Sequence, residues 1–348
     1  MPAIIKQFFL KSHEMTLSDP RFISLTHWLS QYLDTHVTPV LISGDASFRR
    51  YFRVHGEQRS FIAVDSPPAQ VPIAAFMQLA EAYADAGLRV PQTIAASEEM
   101  GFMLLSDLGD VQLLAVLNQG NVGDYYRQAL TLLPRIAGVT ATAAGPLPEY
   151  DAAFVERELQ IFTHWLLGTH LGLPLDGDTE RLLDAAFKCL VASALEQPTV
   201  GMHRDFHSRN LMLQQEGLSV IDFQDAVLGP VTYDAVSLLR DCYVRWPDAL
   251  VDELMEYHYR LCMAEGLLDN NTDIGRYRRW FDLMGVQRHL KAAGIFARLN
   301  HRDNKPAYMA DIPLTLSYIV DVAGRYPELQ PLAHWVAARV IPALEARG

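Results

Sequence analysis

The sequence predicts an α+β chain of two lobes: a small five-stranded antiparallel sheet lobe (residues 1–106) and a larger, mainly helical lobe (residues 107–348). Three observations predict this. Up to Leu105, short β-type runs alternate with Gly- and Pro-bearing turns around one helical stretch. After Asp107-Leu108-Gly109, apolar residues recur at helical spacing almost to the C-terminus. The 348 residues, 50% of them hydrophobic, exceed one ordinary domain and supply a sizeable core.

The elements follow in order. Phe22, Leu25, Trp28, Leu29 and Leu33 give a leading helix over Asp19 to Leu33. Strands are expected over Val37 to Ser43, Phe48 to Val54 and Ser60 to Val64, with turns at Gly44-Asp45-Ala46-Ser47 and at His55-Gly56-Glu57-Gln58. Ser66-Pro67-Pro68 stops the third strand. Ile73, Phe76, Met77, Ala80, Tyr83 and Ala84 line one face of a helix that Gly87 closes. Thr93 to Ala96 and Phe102 to Leu105 complete the sheet. Helices are then expected over Asp124 to Val139, Asp151 to Leu167, Asp178 to Leu195, Ala235 to Val244, Ala249 to Glu265, Gly275 to Leu299, Pro313 to Tyr326 and Pro331 to Ala346.

One stretch interrupts the helical half. Asn210-Leu211-Met212-Leu213 and Leu218-Ser219-Val220-Ile221 are apolar runs around the polar turn Gln214-Gln215-Glu216-Gly217, the pattern of a hairpin. If Leu213 pairs with Leu218, Asn210 falls opposite Ile221 and beside Asp222. Their oxygens can then share a hard cation such as Mg²⁺, which takes one or two protein oxygens and fills its octahedron with water and phosphates. Asp205 lies just before the hairpin, in His203-Arg204-Asp205-Phe206-His207. An Asp, an Asn and a second Asp at this spacing suit phosphoryl transfer, in which one carboxylate serves the acceptor hydroxyl and the other two groups hold the metal on a nucleotide.

Composition narrows the partners. Lys and Arg number 29 against 41 Asp and Glu, a formal charge of −12, which speaks against a nucleic-acid partner. Cys189, Cys242 and Cys262 show no metal-ligand spacing and read as reduced thiols. No apolar stretch is long enough to span a bilayer, and Ile4 to Leu10 is too short for a signal segment. A cytoplasmic monomer with no membrane partner is expected, acting on a small molecule and a nucleotide.

These residues carry a resemblance. The His203–Asn210 loop, the Val220-Ile221-Asp222-Phe223 segment and the two-lobe order resemble the aminoglycoside phosphotransferase family, relatives of the protein kinases, over nearly the whole chain. Ser43-Gly44-Asp45-Ala46-Ser47-Phe48-Arg49-Arg50-Tyr51-Phe52, Ala63-Val64-Asp65-Ser66-Pro67-Pro68 and Gln287 to Leu299 resemble a bacterial subgroup. Its members phosphorylate the anomeric hydroxyl of N-acetylmuramate and N-acetylglucosamine during cell-wall recycling. The resemblance implies a bilobal protein-kinase-like fold that uses ATP and Mg²⁺, with the nucleotide in the cleft between the lobes. It implies Asp205 as catalytic base and Asn210 and Asp222 as metal ligands. It also implies a phosphate-covering turn at Gly44, Asp45, Ser47 and Phe48, and an adenine-binding hinge over Leu104 to Leu108, including Leu105 and Asp107. Asp234 would steady the catalytic loop, or cap the following helix. Competing readings are a kinase for an aminoglycoside, choline or homoserine, and a nucleotide-binding scaffold without turnover.

The chain departs from that pattern in one respect. Kinases of this type place a Lys on the third strand, but Phe61-Ile62-Ala63-Val64-Asp65 has none, and no Lys occurs between Lys11 and Lys188. Arg49 or Arg50 is expected to grip the phosphates instead, since a guanidinium binds phosphate bidentately and keeps its charge when partly buried. His207 and Arg204 flank the base, and Arg204 is assigned to the substrate. His207 is assigned to the transferred phosphate or to the loop itself. In the basic stretch from 275 to 305, Arg288, His289, Lys291 and Arg298 are the candidates to meet a substrate carboxylate. By the same resemblance Glu156, Glu158 and Trp165, on one helix, would wall the acceptor pocket.

Overall fold

The computed structural model describes residues 19–33, 37–42 and 48–347. The chain divides into two compact units, Met1–Glu81 with Val90–Gly109 and Ala82–Arg89 with Asp110–Gly348.

The first unit is the expected sheet. Strands β1 (Val40–Leu41), β2 (Arg50–His55), β3 (Ser60–Asp65), β4 (Thr93–Ser97) and β5 (Phe102–Ser106) run in the order β1-β2-β3-β5-β4, every neighbouring pair antiparallel. Helix α1 (Pro20–Leu29) is capped by Asp19, whose carboxylate accepts from the Arg21 amide at 2.9 Å, with Pro20 at its first position. It buries Leu25, Trp28 and Leu29 against Phe52, Val54, Phe61, Ala63, Phe102 and Leu104. The expected first strand shrinks to two residues, since Pro39 cannot donate to a ladder. The turn residues Gly44, Asp45 and Ser47 lie outside the described residues. Helix α2 (Ala74–Asp85) ends as expected, with Gly87 at φ +77°.

In the second unit most helices form where periodicity placed them, and the ends differ for local reasons. The stretch from Asp124 to Val139 is two helices, α3 (Val122–Leu130) and α4 (Leu133–Gly138). Pro134 has no amide to donate and its ring collides with the carbonyl four residues back, so the first helix stops. Helix α5 (Ala152–Ile161) runs on into a π-helical segment, Phe162–Leu171. Helix α6 (Gly177–Leu195) begins at the Asp176 cap. Helix α7 (Tyr233–Leu239) stops short of Val244. After α8 (Asp248–Ala264), the long α9 (Ile274–Asp303) starts at the Asp273 cap and ends at Asn304 in the left-handed region, φ 54°. Helix α10 (Ile312–Ala323) follows, and α11 (Gln330–Trp335) and α12 (Ile341–Glu345) flank a second π-helical segment.

Three strand pairs lie among these helices. β6 (Ala141–Thr142) pairs with β7 (Gly145–Pro146), and β8 (Thr199–Met202) with β11 (Val227–Pro230); neither pair was expected. β9 (Leu211–Gln214) and β10 (Gly217–Val220) form the expected hairpin, with Leu213 opposite Leu218. Among the described residues, no helix is long and apolar enough to cross a membrane.

Candidate functional site

The hairpin sets the site. Its ladder continues one step past β9 and β10, where the Ile221 amide donates to the Asn210 carbonyl at 3.1 Å. Asn210 and Asp222 therefore meet at its open end. The Asn210 amide nitrogen donates to Asp222 Oδ2 at 3.3 Å and to the backbone carbonyl of Asp205 at 2.9 Å. Gln224 Nε2 donates to Asp222 Oδ1 at 2.8 Å and orients that carboxylate. Asp222 has φ 63°, a conformation Asp tolerates better than most residues and one that marks a backbone bent for a purpose. Among the described residues no group of three or more His, Cys, Asp or Glu side chains gathers to hold a metal. An amide oxygen beside one carboxylate still fits Mg²⁺, which takes few protein ligands when phosphates supply others.

The loop before the hairpin is pinned from several sides. Asp234, in the first turn of α7, accepts from the backbone amides of His203 at 2.7 Å and Arg204 at 3.0 Å, and so steadies the loop as the resemblance implied. His203 is fully buried; its Nε2 donates to the Ile221 carbonyl at 3.0 Å and its Nδ1 accepts the Asp205 amide at 3.2 Å, which requires the neutral ring. Burial depresses its pKa accordingly. Arg204 sits at φ 77°, costly for a long side chain. Its carbonyl accepts from Arg288 Nη1 at 3.0 Å, and its guanidinium donates to Glu158 at 3.1 Å and to the Asp225 carbonyl at 3.2 Å. Asp241, 1% exposed, accepts from the Ser208 amide at 3.1 Å and from the Ser208 hydroxyl.

Asp205 itself faces a small pocket of about 100 Å³, lined also by His207, Ser237, Asp241, Tyr243, Arg288 and Lys291. Burial would raise its pKa, but Lys291, His207, Arg288 and Arg204 hold the carboxyl below its ordinary value. It is therefore ionised near neutrality, able to orient a hydroxyl and take its proton. His207 packs edge-on to Tyr243 at 5.5 Å, and its buried Nδ1 has no hydrogen-bond partner among the described residues.

Two of the expected substrate residues reach this pocket and three do not: Arg204, held by Glu158 and the Asp225 carbonyl, His289 and Arg298 are absent from its lining. Arg288 and Lys291 line it. His289, on the next position of α9, is 1% exposed; it donates from Nε2 to the Arg240 carbonyl at 2.9 Å and stacks on Tyr318 at 4.5 Å. Burial drives its pKa down to about 3, as befits a core histidine. The helical rotation of about 100° per residue turns it away from its neighbour Arg288. Arg298, nearly three turns beyond Arg288 on α9, is half-buried and absent from the lining.

In the sheet unit, Arg49 is buried, with Nε donating to Ser66 Oγ at 3.1 Å and its guanidinium over the Phe76 ring. Arg50 pairs with Asp19 and Asp65, so its charge is already answered by two carboxylates. Asp107 takes Arg53 bidentately, at 2.7 and 3.1 Å. Leu105 is buried in β5, and Phe48 is 66% exposed.

Sequence reasoning gave Glu158 a wall of the pocket and missed the hub it forms. It lies on α5 and is 4% exposed. Lys291 Nζ approaches Oε1 to 2.6 Å, Arg204 donates to the same oxygen, and Tyr150 OH and Gln287 Nε2 donate to Oε2 at 2.6 and 3.1 Å. Burial opposes the charge, but Lys291 and Arg204 outweigh it and bring the pKa to about 2 from an ordinary 4.5. A carboxyl depressed on folding stabilises the fold above the unfolded pKa and loses that contribution as pH falls through the folded one. The contribution is on the order of 3 kcal/mol. Urea unfolding of the wild type and Glu158→Gln should therefore differ most near pH 7, with the gap more than halved by about pH 3.

The phosphotransferase enzyme family matches residues 38–267. An N-acetylmuramate/N-acetylglucosamine kinase of Pseudomonas aeruginosa is 42% identical over 331 residues, which cover 92% of this chain and 97% of that protein. A protein of the same description from Pseudomonas putida is 39% identical over 330 residues, 92% of this chain and 96% of its own. Among solved structures, an ethanolamine kinase of Plasmodium vivax matches with a TM-score of 0.61 at 10% identity, covering 85% of this chain and 86% of that one. The last likeness is one of fold, and the fold is protein-kinase-like.

Proposed function

The chain belongs to the phosphotransferase enzyme family, and on that footing we propose that it is an ATP-dependent kinase for the anomeric hydroxyl of N-acetylmuramate and N-acetylglucosamine. It would serve peptidoglycan recycling as a cytoplasmic monomer. The observation that carries this reading is the convergence at the hairpin's open end, where one amide, that of Asn210, touches both the Asp222 carboxylate and the backbone of Asp205. The names of its relatives supply the acceptor.

Asp205 orients the acceptor hydroxyl and takes its proton as the oxygen attacks the terminal phosphorus of ATP, whose bond to the bridging oxygen breaks to release ADP. Asn210 and Asp222 would hold Mg²⁺, whose charge offsets that of the phosphates. The remaining contribution is placement and electrostatics, as a loose phosphoryl-transfer transition state demands. The pocket's cations fit a neutral or anionic sugar better than a polycation. Lys291 is neutralised by Glu158, whereas Arg288 has no carboxylate partner among the described residues and lies over the Tyr233 ring at 4.3 Å. Arg288 is thus assigned to the lactyl carboxylate of N-acetylmuramate.

The test is an acceptor screen with ATP and Mg²⁺, including both N-acetylated amino sugars, aminoglycosides, choline and homoserine, with the phosphate position read by NMR. A product other than a sugar 1-phosphate rejects the assignment. A second expectation concerns the metal. Asp222→Ala should weaken Mg-nucleotide binding by roughly tenfold or more, because loss of a ligand costs at least as much as loss of a group supporting one. Calorimetry with and without Mg²⁺ checks this: an unchanged isotherm removes Asp222 from the metal site.

A further inference from the structure

Asp205 is surrounded by Lys291, Arg288 and Arg204, yet its carboxylate makes no hydrogen bond or ion pair with any of them among the described residues. Each cation is held elsewhere. Lys291 contacts Glu158 at 2.6 Å and donates to the Tyr233 hydroxyl at 3.0 Å. Arg204 donates to Glu158 and to the Asp225 carbonyl. Arg288 donates to the Arg204 carbonyl. Two of the three cations therefore end on one buried carboxylate, whose second oxygen is filled by Tyr150 and Gln287.

In a poorly hydrated site a cation seeks the nearest anion, and an ammonium on a four-carbon stem is free to swing toward it. Without Glu158, the pocket carboxylate whose charge acts on Lys291 is Asp205, since Asp241, which also lines the pocket, accepts from the Ser208 amide and hydroxyl. A Lys291–Asp205 pair would occupy the oxygens that must accept the hydroxyl proton.

We propose that Glu158 is a positioning residue: it tethers Lys291 and Arg204 so that neither closes on Asp205, and the base keeps its oxygens for the acceptor. This rests on Asp205 being the base.

The experiment is a mutant cycle on the full chain, with Mg·ATP and whichever acceptor the wild type turns over. Glu158→Gln should lower kcat by about tenfold or more and leave KM for ATP within about twofold. Lys291→Met should slow the wild type but speed Glu158→Gln by about threefold or more, a reversal of sign that only a released, obstructive ammonium produces. If Lys291→Met slows both backgrounds, Glu158 is structural and the proposal is wrong. Should Glu158→Gln fail to fold, Glu158→Asp keeps the charge on a shorter stem and loosens the tether. Lys291→Met should then speed that variant, and slowing it overturns the proposal equally. Asp205→Asn, measured alongside, tests the base independently. Its inactivity together with a cycle that shows no reversal would remove the tether and leave the base in place.

Discussion

Asp205→Asn lowers kcat for sugar phosphorylation by about 10²–10⁴-fold, the range for a lost general base, while Mg-nucleotide binding stays near that of the wild type. The separation follows from what Asp205 touches. Asn210 is held by the Asp205 backbone carbonyl at 2.9 Å, and His203 Nδ1 by its backbone amide at 3.2 Å. Both contacts survive a change of side chain, so Asn210, proposed to hold the metal with Asp222, keeps its place. The side-chain amide matches the carboxylate in shape but cannot take a proton. Because the interaction lost is made in the transition state, kcat and kcat/KM should fall together. Steady-state kinetics and nucleotide calorimetry on one preparation decide it. Activity within about tenfold of wild type would falsify the assignment of Asp205 as base.

The parts of this site that were legible in the sequence are those governed by local rules. The hairpin's register follows from two apolar runs around a turn ending in Gly217, whose φ of 123° few other residues adopt. That register alone carries Asn210 to Asp222. The side of α9 facing the pocket was harder to read: spacing places Arg288 and Lys291 on one face and rotates His289 off it, but the basic stretch reads as undivided charge until the helix is fixed in space. The pins on the loop were least visible. Asp241 meets Ser208 across 33 residues and Glu158 meets Lys291 across 133, and such pairings leave no periodic trace. Asp234 was found through resemblance; its residue type alone fits a helix cap equally well. In the sheet unit, strand alternation turns the neighbours Arg49 and Arg50 to opposite sides, but nothing local showed that Asp19 and Asp65 would both take Arg50.

Gly294→Ala tests the same long-range architecture from the backbone. Gly294 lies on α9 where it passes the joint between α5 and its π-helical continuation. A Cβ there would stand 2.5 Å from the carbonyl carbon and oxygen of Ile161 and 2.6 Å from the amide nitrogen of Phe162. These are backbone atoms and cannot rotate aside. Alanine gains about 1 kcal/mol in helix propensity over glycine, whereas overpacking costs typically about 1–3 kcal/mol, with the upper part of that range apt when the obstacle is backbone. The clash should win, and the variant should unfold at lower urea than the wild type. Gly138→Ala is the control, since a Cβ there meets nothing within 4 Å. The consequence extends to catalysis. Glu158 lies three residues before Ile161, and Lys291 three residues before Gly294, so parting the helices stretches the 2.6 Å contact between them. Gly294→Ala should therefore lose kcat as well as stability even though its side chain touches no substrate. If it unfolds at the wild-type urea concentration, α9 and α5 do not approach as closely as the glycine implies, and the placement of Lys291 against Glu158 falls with it.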